Sequence, residues 1–255
     1  MRPQHAVFLA LLLAAPWAHA EGPTIRTEDD VALTAEHWGK GTHGVLLVHA
    51  DGRSASDWSA LGPRLAANGL HALAIDLRGH GASAAGEPDY AKMKADLSAG
   101  VAWLRTQGAT RVHVVGAGLG ANLALATAAD DTGIDDVVLL SPQLNAQGYK
   151  ASAAIAAYGS RPLLVVASKA DTLSAKTAGY LAKQARGPHH LELYDDAGVG
   201  ARMLNGAPAL EPLILSWLHG TFLQASDPSS AAHAVKSGGF EAIEAQGTLL
   251  QDRQR

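Results

Sequence analysis

The chain has 255 residues, with 20 Lys and Arg against 24 Asp and Glu, and it contains no Cys. The net charge of −4 argues against a nucleic-acid-binding protein, which normally carries a basic face. Without Cys there is no disulfide scaffold, thiolate zinc site, iron–sulfur cluster or cysteine nucleophile. The apolar fraction of 47% excludes a disordered chain, and the length suits one large α/β domain.

The first twenty residues have the pattern of an export signal. Arg2 supplies a positive charge, residues 6–15 form an apolar run too short to span a bilayer, and Ala18-His19-Ala20 resembles a cleavage site. The alternative is a buried N-terminal helix. We expect residues 1–20 to be removed after Ala20 and the mature protein to be periplasmic or secreted, in a bacterium. No later segment is apolar enough to span a membrane.

The segments that follow alternate between strand-like and helix-like patterns. Residues 24–38 predict an antiparallel hairpin, residues 44–48 a buried strand, and residues 58–68 a helix. Further along, the pattern predicts strands at 71–75, 111–115, 136–140, 162–167 and 191–194, and helices at 90–107, 121–129, 174–185 and 210–221.

This βαβ alternation predicts a mostly parallel sheet that helices cover on both faces. We expect one domain over residues 21–223. From residue 224 to 255 the chain is polar and rich in Gly and Ser, which predicts a mobile C-terminal tail.

In an open parallel sheet, catalytic residues lie at the carboxyl ends of the strands. The residues that follow the predicted strands are therefore the candidates for a site. They are His49-Ala50-Asp51-Gly52, the stretch DLRGHGAS at 76–83, Gly116-Ala117-Gly118-Leu119-Gly120, Ser168-Lys169-Ala170-Asp171 and Ala197-Gly198-Val199-Gly200.

These stretches resemble the α/β-hydrolase family from about residue 31 to residue 218. DLRGHGAS is a specific family signature, and the turn at 116–120 falls where the family has its nucleophile elbow, G-x-S-x-G. The resemblance implies a three-layer α/β-hydrolase fold. Only about twenty residues separate Pro142 from Arg161, which leaves little room for a lid domain. The lidless esterase, dienelactone-hydrolase and serine-aminopeptidase-like branches are the most similar.

The sequence departs from the family at the residues that carry the chemistry. Gly118 stands in the nucleophile position and Val199 in the histidine position, and neither can attack a carbonyl or transfer a proton. Asp171 remains in the acid position, although an Asp at the start of a helix is also a good N-cap. In the oxyanion turn, Ala50 follows His49 where the family usually has Gly.

Three hypotheses about function follow. In the first, a non-catalytic α/β-hydrolase binds a small apolar or acyl ligand, or a protein partner, in a pocket lined by His49, Ala50, Asp51, Gly118, Leu119 and Val199. In the second, a serine-type ester or acyl hydrolase uses relocated residues: Ser54, Ser56, Asp51 or Ser141 with His49 or His80.

The third hypothesis is a nucleotide-binding protein, because Gly116, Gly118 and Ala121 match G-x-G-x-x-A. Against it, the next strand ends in Leu140-Ser141-Pro142, without an acidic residue to hold a ribose. We expect no cofactor and no metal. The pair His189-His190 is expected in a solvated loop rather than a metal site. His113 and the Trp residues at 38, 58, 103 and 217 are expected in the core.

Overall fold

The computed structural model describes residues 22–83 and 86–222. The predicted export signal at 1–20 and the predicted tail at 224–255 lie outside the described residues. Among the described helices, none is long and apolar enough to cross a membrane.

An eight-stranded, mostly parallel sheet forms the centre of the molecule. In chain order, its strands are β1 (Thr24–Arg26), β2 (Ala32–Trp38), β3 (His43–Val48), β4 (His71–Ile75), β5 (Arg111–Ala117), β6 (Asp136–Leu140), β9 (Leu163–Ser168) and β10 (His189–Tyr194). Their order across the sheet is β1-β2-β4-β3-β5-β6-β9-β10. β1 and β2 pair antiparallel, and β2 joins β4 antiparallel. All other pairs are parallel. The predicted hairpin and the parallel sheet are both confirmed.

Helices cover both faces of the sheet because its strands alternate apolar side chains between the two faces. The main helices are α1 (Leu61–Ala67), α2 (Met93–Thr106), α3 (Leu119–Asp130), α4 (Ala151–Tyr158), α5 (Thr172–Gln184), α6 (Met203–Gly206) and α7 (Leu210–Leu218). In β3, Leu46 and Val48 pack on one face of the sheet, in the core formed with α2 to α5. Val45 and Leu47 pack on the other face, in the core formed with α1, α6 and α7. The α/β class is therefore confirmed, with two cores separated by one sheet.

The connection from β6 to β9 contains no substantial lid. The described chain there forms a short hairpin of β7 (Asn145–Ala146) and β8 (Tyr149–Lys150), followed by α4. The hairpin lies at the carboxyl end of the sheet, where Asn122 of α3 donates hydrogen bonds to Gln143 O at 2.7 Å and Tyr149 O at 2.8 Å.

Two local predictions are wrong. His189 and His190 do not lie in a loop: they begin β10, an edge strand whose side chains are only partly buried, so polar residues are tolerated. The helix predicted from residue 58 begins later. Residues Ala55–Trp58 form a 3-10 turn, and the α-helix starts at Leu61.

Of the Trp residues expected in the core, Trp58 and Trp217 are buried, whereas Trp38 and Trp103 are only partly buried. His113 is fully buried and its Nδ1 lies 2.7 Å from Oδ2 of Asp136.

Candidate functional site

The sharp turn between β5 and α3 is the centre of the candidate site. Gly118 has φ 54° and ψ −116°, a conformation that favours glycine. Its N–H donates to Leu140 O at 2.9 Å, and its own carbonyl accepts from Ala121 N at 3.1 Å, which starts α3. This is the strand–turn–helix geometry in which the α/β-hydrolase family holds its nucleophile.

The glycines on either side of this turn allow a close approach of backbones. A Cβ on Gly116 would lie 2.2 Å from Gly120 O, and a Cβ on Gly120 would lie 2.4 Å from Val48 O. Neither distance is possible for a real side chain, so both positions require glycine. The glycine spacing that the sequence shows is therefore a packing requirement of the turn against β3.

The space above Gly118 is partly filled by a neighbouring methyl group. A Cβ on Gly118 would lie 3.1 Å from the Cβ of Ala50 and 4.0 Å from Nε2 of Gln143. Ala50 belongs to the turn after β3 and is half-buried. A larger residue at position 118 would therefore need Ala50 to move by a few tenths of an ångström.

The loop after β10 returns to this turn. The N–H of Gly200 donates to Ser141 Oγ at 2.9 Å, and a Cβ on Gly200 would lie 3.4 Å from the Cβ of Ala117. The structure thus brings the segment of Val199 beside the residue that precedes Gly118. The Val199 side chain is 41% exposed, so it faces solvent rather than a closed apolar cavity.

Asp171 is engaged as a helix cap. Its Oδ1 accepts from Ser174 N at 3.2 Å, at the start of α5. This satisfies one of the free N–H groups of the first turn. The same Asp171 lines a groove of about 660 Å³. The groove's other lining residues are Gln143, Leu144, Asn145, Leu173, Ser174, Lys176 and Thr177.

Two leucines make this groove unusual for a surface. Leu144 is 61% exposed and Leu173 is 77% exposed. Both are large apolar side chains left in water: Leu144 comes before the β7–β8 hairpin, and Leu173 lies in the first turn of α5. Exposed apolar groups that gather at a concave surface are typical of a binding site.

Both ring nitrogens of His49 are hydrogen-bonded to the backbone, so neither is available as a general base. Its Nε2 accepts from Leu77 N at 3.0 Å, so Nδ1 carries the proton and donates to Ala50 O at 2.7 Å. The ring is fully buried, and burial lowers its pKa despite the hydrogen bond to Ala50. The neutral ring therefore links the turns after β3 and β4. Leu119, also among the predicted pocket residues, is buried in the core.

Asp51 is the acceptor for three donors at the mouth of the site. Its carboxylate lies 3.0 Å from His80 Nε2 and accepts from Tyr90 OH at 3.0 Å and from Gln147 Nε2 at 2.8 Å. Partial burial raises the pKa of Asp51, but the hydrogen bonds from Gln147, His80 and Tyr90 outweigh it, and the net pKa is lowered. This cluster fastens the β7–β8 hairpin to the turn after β3.

The serines that the second hypothesis invokes do not contact a histidine in the described residues. Ser54 Oγ and Ser56 Oγ lie 2.7 Å apart. Ser141 is buried. Its hydroxyl oxygen accepts a hydrogen bond from Gly200 N, and its hydroxyl proton is donated to the sulfur of Met203. The Asp51–His80 contact is the one part of a relocated triad that the structure brings together.

The DLRGHGAS signature is structural in this chain. Asp76 accepts from Ala55 N at 2.6 Å and Ala82 N at 2.7 Å, which joins two turns at the carboxyl edge. Arg78 is buried and forms two-point contacts with Asp29 and Asp96. Its guanidinium lowers the pKa of Asp29 well below the usual range.

Sequence reasoning did not find Gln143, Gln147, Tyr90 or Arg202 as residues near the site. All four come from segments without a family motif, and only the fold brings them to the edge of the sheet. In the described part of the chain, no group of three or more His, Asp or Glu side chains could hold a metal ion.

The comparisons agree with this geometry. Residues 45–246 match the alpha/beta hydrolase family, and the chain belongs to that family. Among curated proteins, no sequence matches this chain.

Solved structures of similar fold include an esterase from Pyrococcus furiosus. It has 21% sequence identity and a TM-score of 0.66, over 77% of this chain and 90% of the esterase. A dienelactone hydrolase from Anabaena variabilis has 20% identity and a TM-score of 0.65, over 78% of this chain and 96% of that one. An esterase from Exiguobacterium antarcticum has 15% identity and a TM-score of 0.61, over 78% of this chain and 99% of that one. At these identities the likeness extends to the fold alone.

Proposed function

We propose that this protein is a non-catalytic α/β-hydrolase that binds a small apolar or acyl ligand beside the former nucleophile turn. The observation that carries the proposal is Gly118: the strand-to-helix turn has the elbow geometry but no side chain that could attack a carbonyl. The methyl group of Ala50 also stands where a nucleophile's side chain would need room.

The rest of the triad supports the same proposal. Val199 replaces a proton-transferring group, and Asp171 is engaged in capping α5. Enzymes that lose triad members retain only the residual rate that binding and the oxyanion hole supply. A tuned active site would not lose nucleophile and base together, whereas a binding protein has no need of either.

The groove at Asp171 is the candidate ligand site. Its volume of about 660 Å³ falls within the range of small-molecule pockets, and Leu144 and Leu173 provide apolar contact for a hydrocarbon chain. Polar groups of Gln143 and Lys176 in the lining would orient a ligand's head group. A protein partner that covers the two leucines is the alternative occupant.

A binding assay with a fluorescent medium-chain fatty acid tests the groove. We expect saturable binding by the mature protein and at least a fivefold loss in Leu173→Ser, because burial of this side chain against the ligand contributes about 1.5–3 kcal/mol. Tyr180→Ser changes another exposed residue of α5, outside the groove lining, and is the matched control. Equal affinities for the two variants, or no binding by the unaltered protein, would reject the groove as the site.

The second candidate function, a serine-type ester or acyl hydrolase with relocated residues, is favoured by one observation: Asp51 lies 3.0 Å from His80 Nε2. It requires a serine that can reach His80 when substrate binds. Turnover of short p-nitrophenyl esters that His80→Ala abolishes, while His189→Ala retains it, would support this function over the binding role.

We also propose that the protein is exported to the periplasm or secreted. The support is the sequence of residues 1–20 alone. N-terminal sequencing of protein purified from cells should begin at Glu21. An N-terminus at Met1 would contradict the proposal.

A further inference from the structure

We propose that the protein has a second binding site, for a small oxyanion, in a cleft between the turn after β3 and the loop after β10. The cleft has a volume of about 340 Å³. Its lining is Arg53, Ser56, Asp57, Ser59, Ala60, Ala201, Arg202, Leu204 and Asn205. It does not share a lining residue with the groove at Asp171.

One arginine of the cleft has no carboxylate partner. The lining contains Arg53, Arg202 and Asp57, and the carboxylate of Glu36 accepts from the lining hydroxyl of Ser59 at 3.1 Å. Arg53 donates to both oxygens of Asp57, with Nε to Oδ2 at 2.9 Å. The pairing raises the pKa of Arg53. The Arg53–Asp57 pair is therefore neutral as a unit, and Arg202 is the lining cation that forms no ion pair among the described residues.

Arg202 has unused hydrogen-bonding capacity. Within residues 22–83 and 86–222, no carboxylate or carbonyl pairs with its guanidinium, and none pairs with the amide of Asn205. Ser59 differs, because its hydroxyl donates to Glu36 at 3.1 Å. A planar guanidinium presents a fork of N–H donors that matches carboxylate or phosphate oxygens, and the neighbouring amide adds a further donor.

The backbone that carries Arg202 is held in place. Arg202 ends the 3-10 turn Gly200–Arg202, and Gly200 N is fixed to Ser141 Oγ at 2.9 Å. The next residue, Met203, is fully buried, and its sulfur accepts from the same Ser141 hydroxyl at 3.8 Å. A cation on a turn anchored at both ends binds an anion at a smaller entropic cost than one on a free loop.

The cleft also lies next to segments of the candidate site, although the inference does not rest on the proposed function. The two walls of the cleft are the continuation of the oxyanion turn and the segment after Val199. Gly200, which precedes the lining residue Ala201, lies against Ala117 at the end of β5. The class of ligand is a carboxylate or phosphate group small enough for a volume of about 340 Å³.

Titration of the mature protein with acetate and with inorganic phosphate, at constant ionic strength, tests the site. We expect one of the two anions to bind saturably and Arg202→Ala to weaken binding about tenfold, since a charge-assisted hydrogen bond contributes about that much. Arg202→Lys should recover only part of the affinity, because ammonium lacks the planar fork. Arg186→Ala, at another exposed arginine outside the cleft, should bind like the unaltered protein.

The outcomes distinguish a carboxylate ligand from a phosphate ligand, and they distinguish failure of this cleft from failure of the groove at Asp171. Preference for acetate indicates a carboxylic acid, and preference for phosphate indicates a phosphorylated compound. Either supports the site if Arg202→Ala loses it. No saturable binding, or equal weakening by Arg202→Ala and Arg186→Ala, would overturn the inference. The fatty-acid assay at Leu173 uses a different cavity, so its failure leaves this test unaffected.

Discussion

At the turn between β5 and α3, the methyl group of Ala50 lies close to the point where a side chain on residue 118 would begin. The two departures from the family pattern are thus coupled in space, although 68 positions separate them in the sequence. The sequence allows each substitution to be recognised, because both fall within motifs. Their mutual distance depends on how β3 and β5 pair, and only the structure supplies it.

If the proposed non-catalytic role is correct, this coupling determines how hydrolytic activity could be introduced. Gly118→Ser alone should remain inactive, because its hydroxyl would have no general base to accept the proton. Val199→His alone should also remain inactive, because its imidazole would have no nucleophile to activate. With Ala50→Gly to make room, the triple variant should hydrolyse p-nitrophenyl acetate above the rate of any single variant. The gain should be non-additive, since triad members act as a unit. Serine at φ 54° should lower the free energy of unfolding by about 1–3 kcal/mol.

Further substitution of the triple variant tests the role of the acid. Asp171→Asn should lower the recovered rate, because the imidazole would lose its orienting carboxylate. If the triple variant folds, as judged by circular dichroism, and shows no ester hydrolysis, then the assignment of positions 118, 171 and 199 is wrong.

Helix α5 depends on the same Asp171 for its first turn. Asp171→Ala should lower the free energy of unfolding by about 0.5–2 kcal/mol, because the N–H of Ser174 loses its acceptor. Asp171→Asn is the matched control: asparagine caps equally well, so its stability should stay close to that of the unaltered protein. Urea unfolding measures both. Equal loss in the two variants would show that the charge of Asp171, rather than the cap, stabilises α5.

Elements of the fold could be predicted from the sequence to different degrees. Strands β4 and β6 match their predicted bounds, because buried parallel strands have continuous apolar sequences ended by polar or glycine turns. The β7–β8 hairpin has two residues in each strand and shows no periodicity, so nothing in the sequence predicts it. Its bond from Gln147 to Asp51 spans 96 positions, and together with the hydrogen bonds of Asn122 it fastens the hairpin at the site.

For the whole molecule, histidines that are fully or partly removed from water should contribute to the response to mild acid. Burial lowers the pKa of His37, His43, His49 and His71 below the value of 6.5 that the unfolded chain has. Below pH 6.5 the unfolded state binds protons that the folded state does not, so stability should fall as pH falls from 6.5 towards the folded-state pKa values. More than about one pH unit above 6.5 these residues are neutral in both states and should contribute no slope.

The contact between His37 and His71 allows part of this pH dependence to be assigned to particular residues. His71 is buried, its Nε2 lies 3.0 Å from Nε2 of His37, and its Nδ1 has no partner among the described atoms. Urea unfolding at pH 7.5, 6.5 and 5.5 should show a smaller pH slope in His71→Gln than in the unaltered protein. His189→Gln, at an exposed histidine, is the control and should keep the full slope. The same slope in both variants would contradict the role of the His37–His71 pair.

The most direct test of the whole account is whether the unaltered mature protein contains a reactive serine. A fluorophosphonate adds irreversibly to the nucleophilic serine of active serine hydrolases, and intact-mass spectrometry detects the adduct. We predict no adduct after prolonged incubation, because Gly118 offers no hydroxyl and no described candidate serine contacts an imidazole. A stoichiometric adduct on one serine, together with ester turnover, would contradict the non-catalytic account.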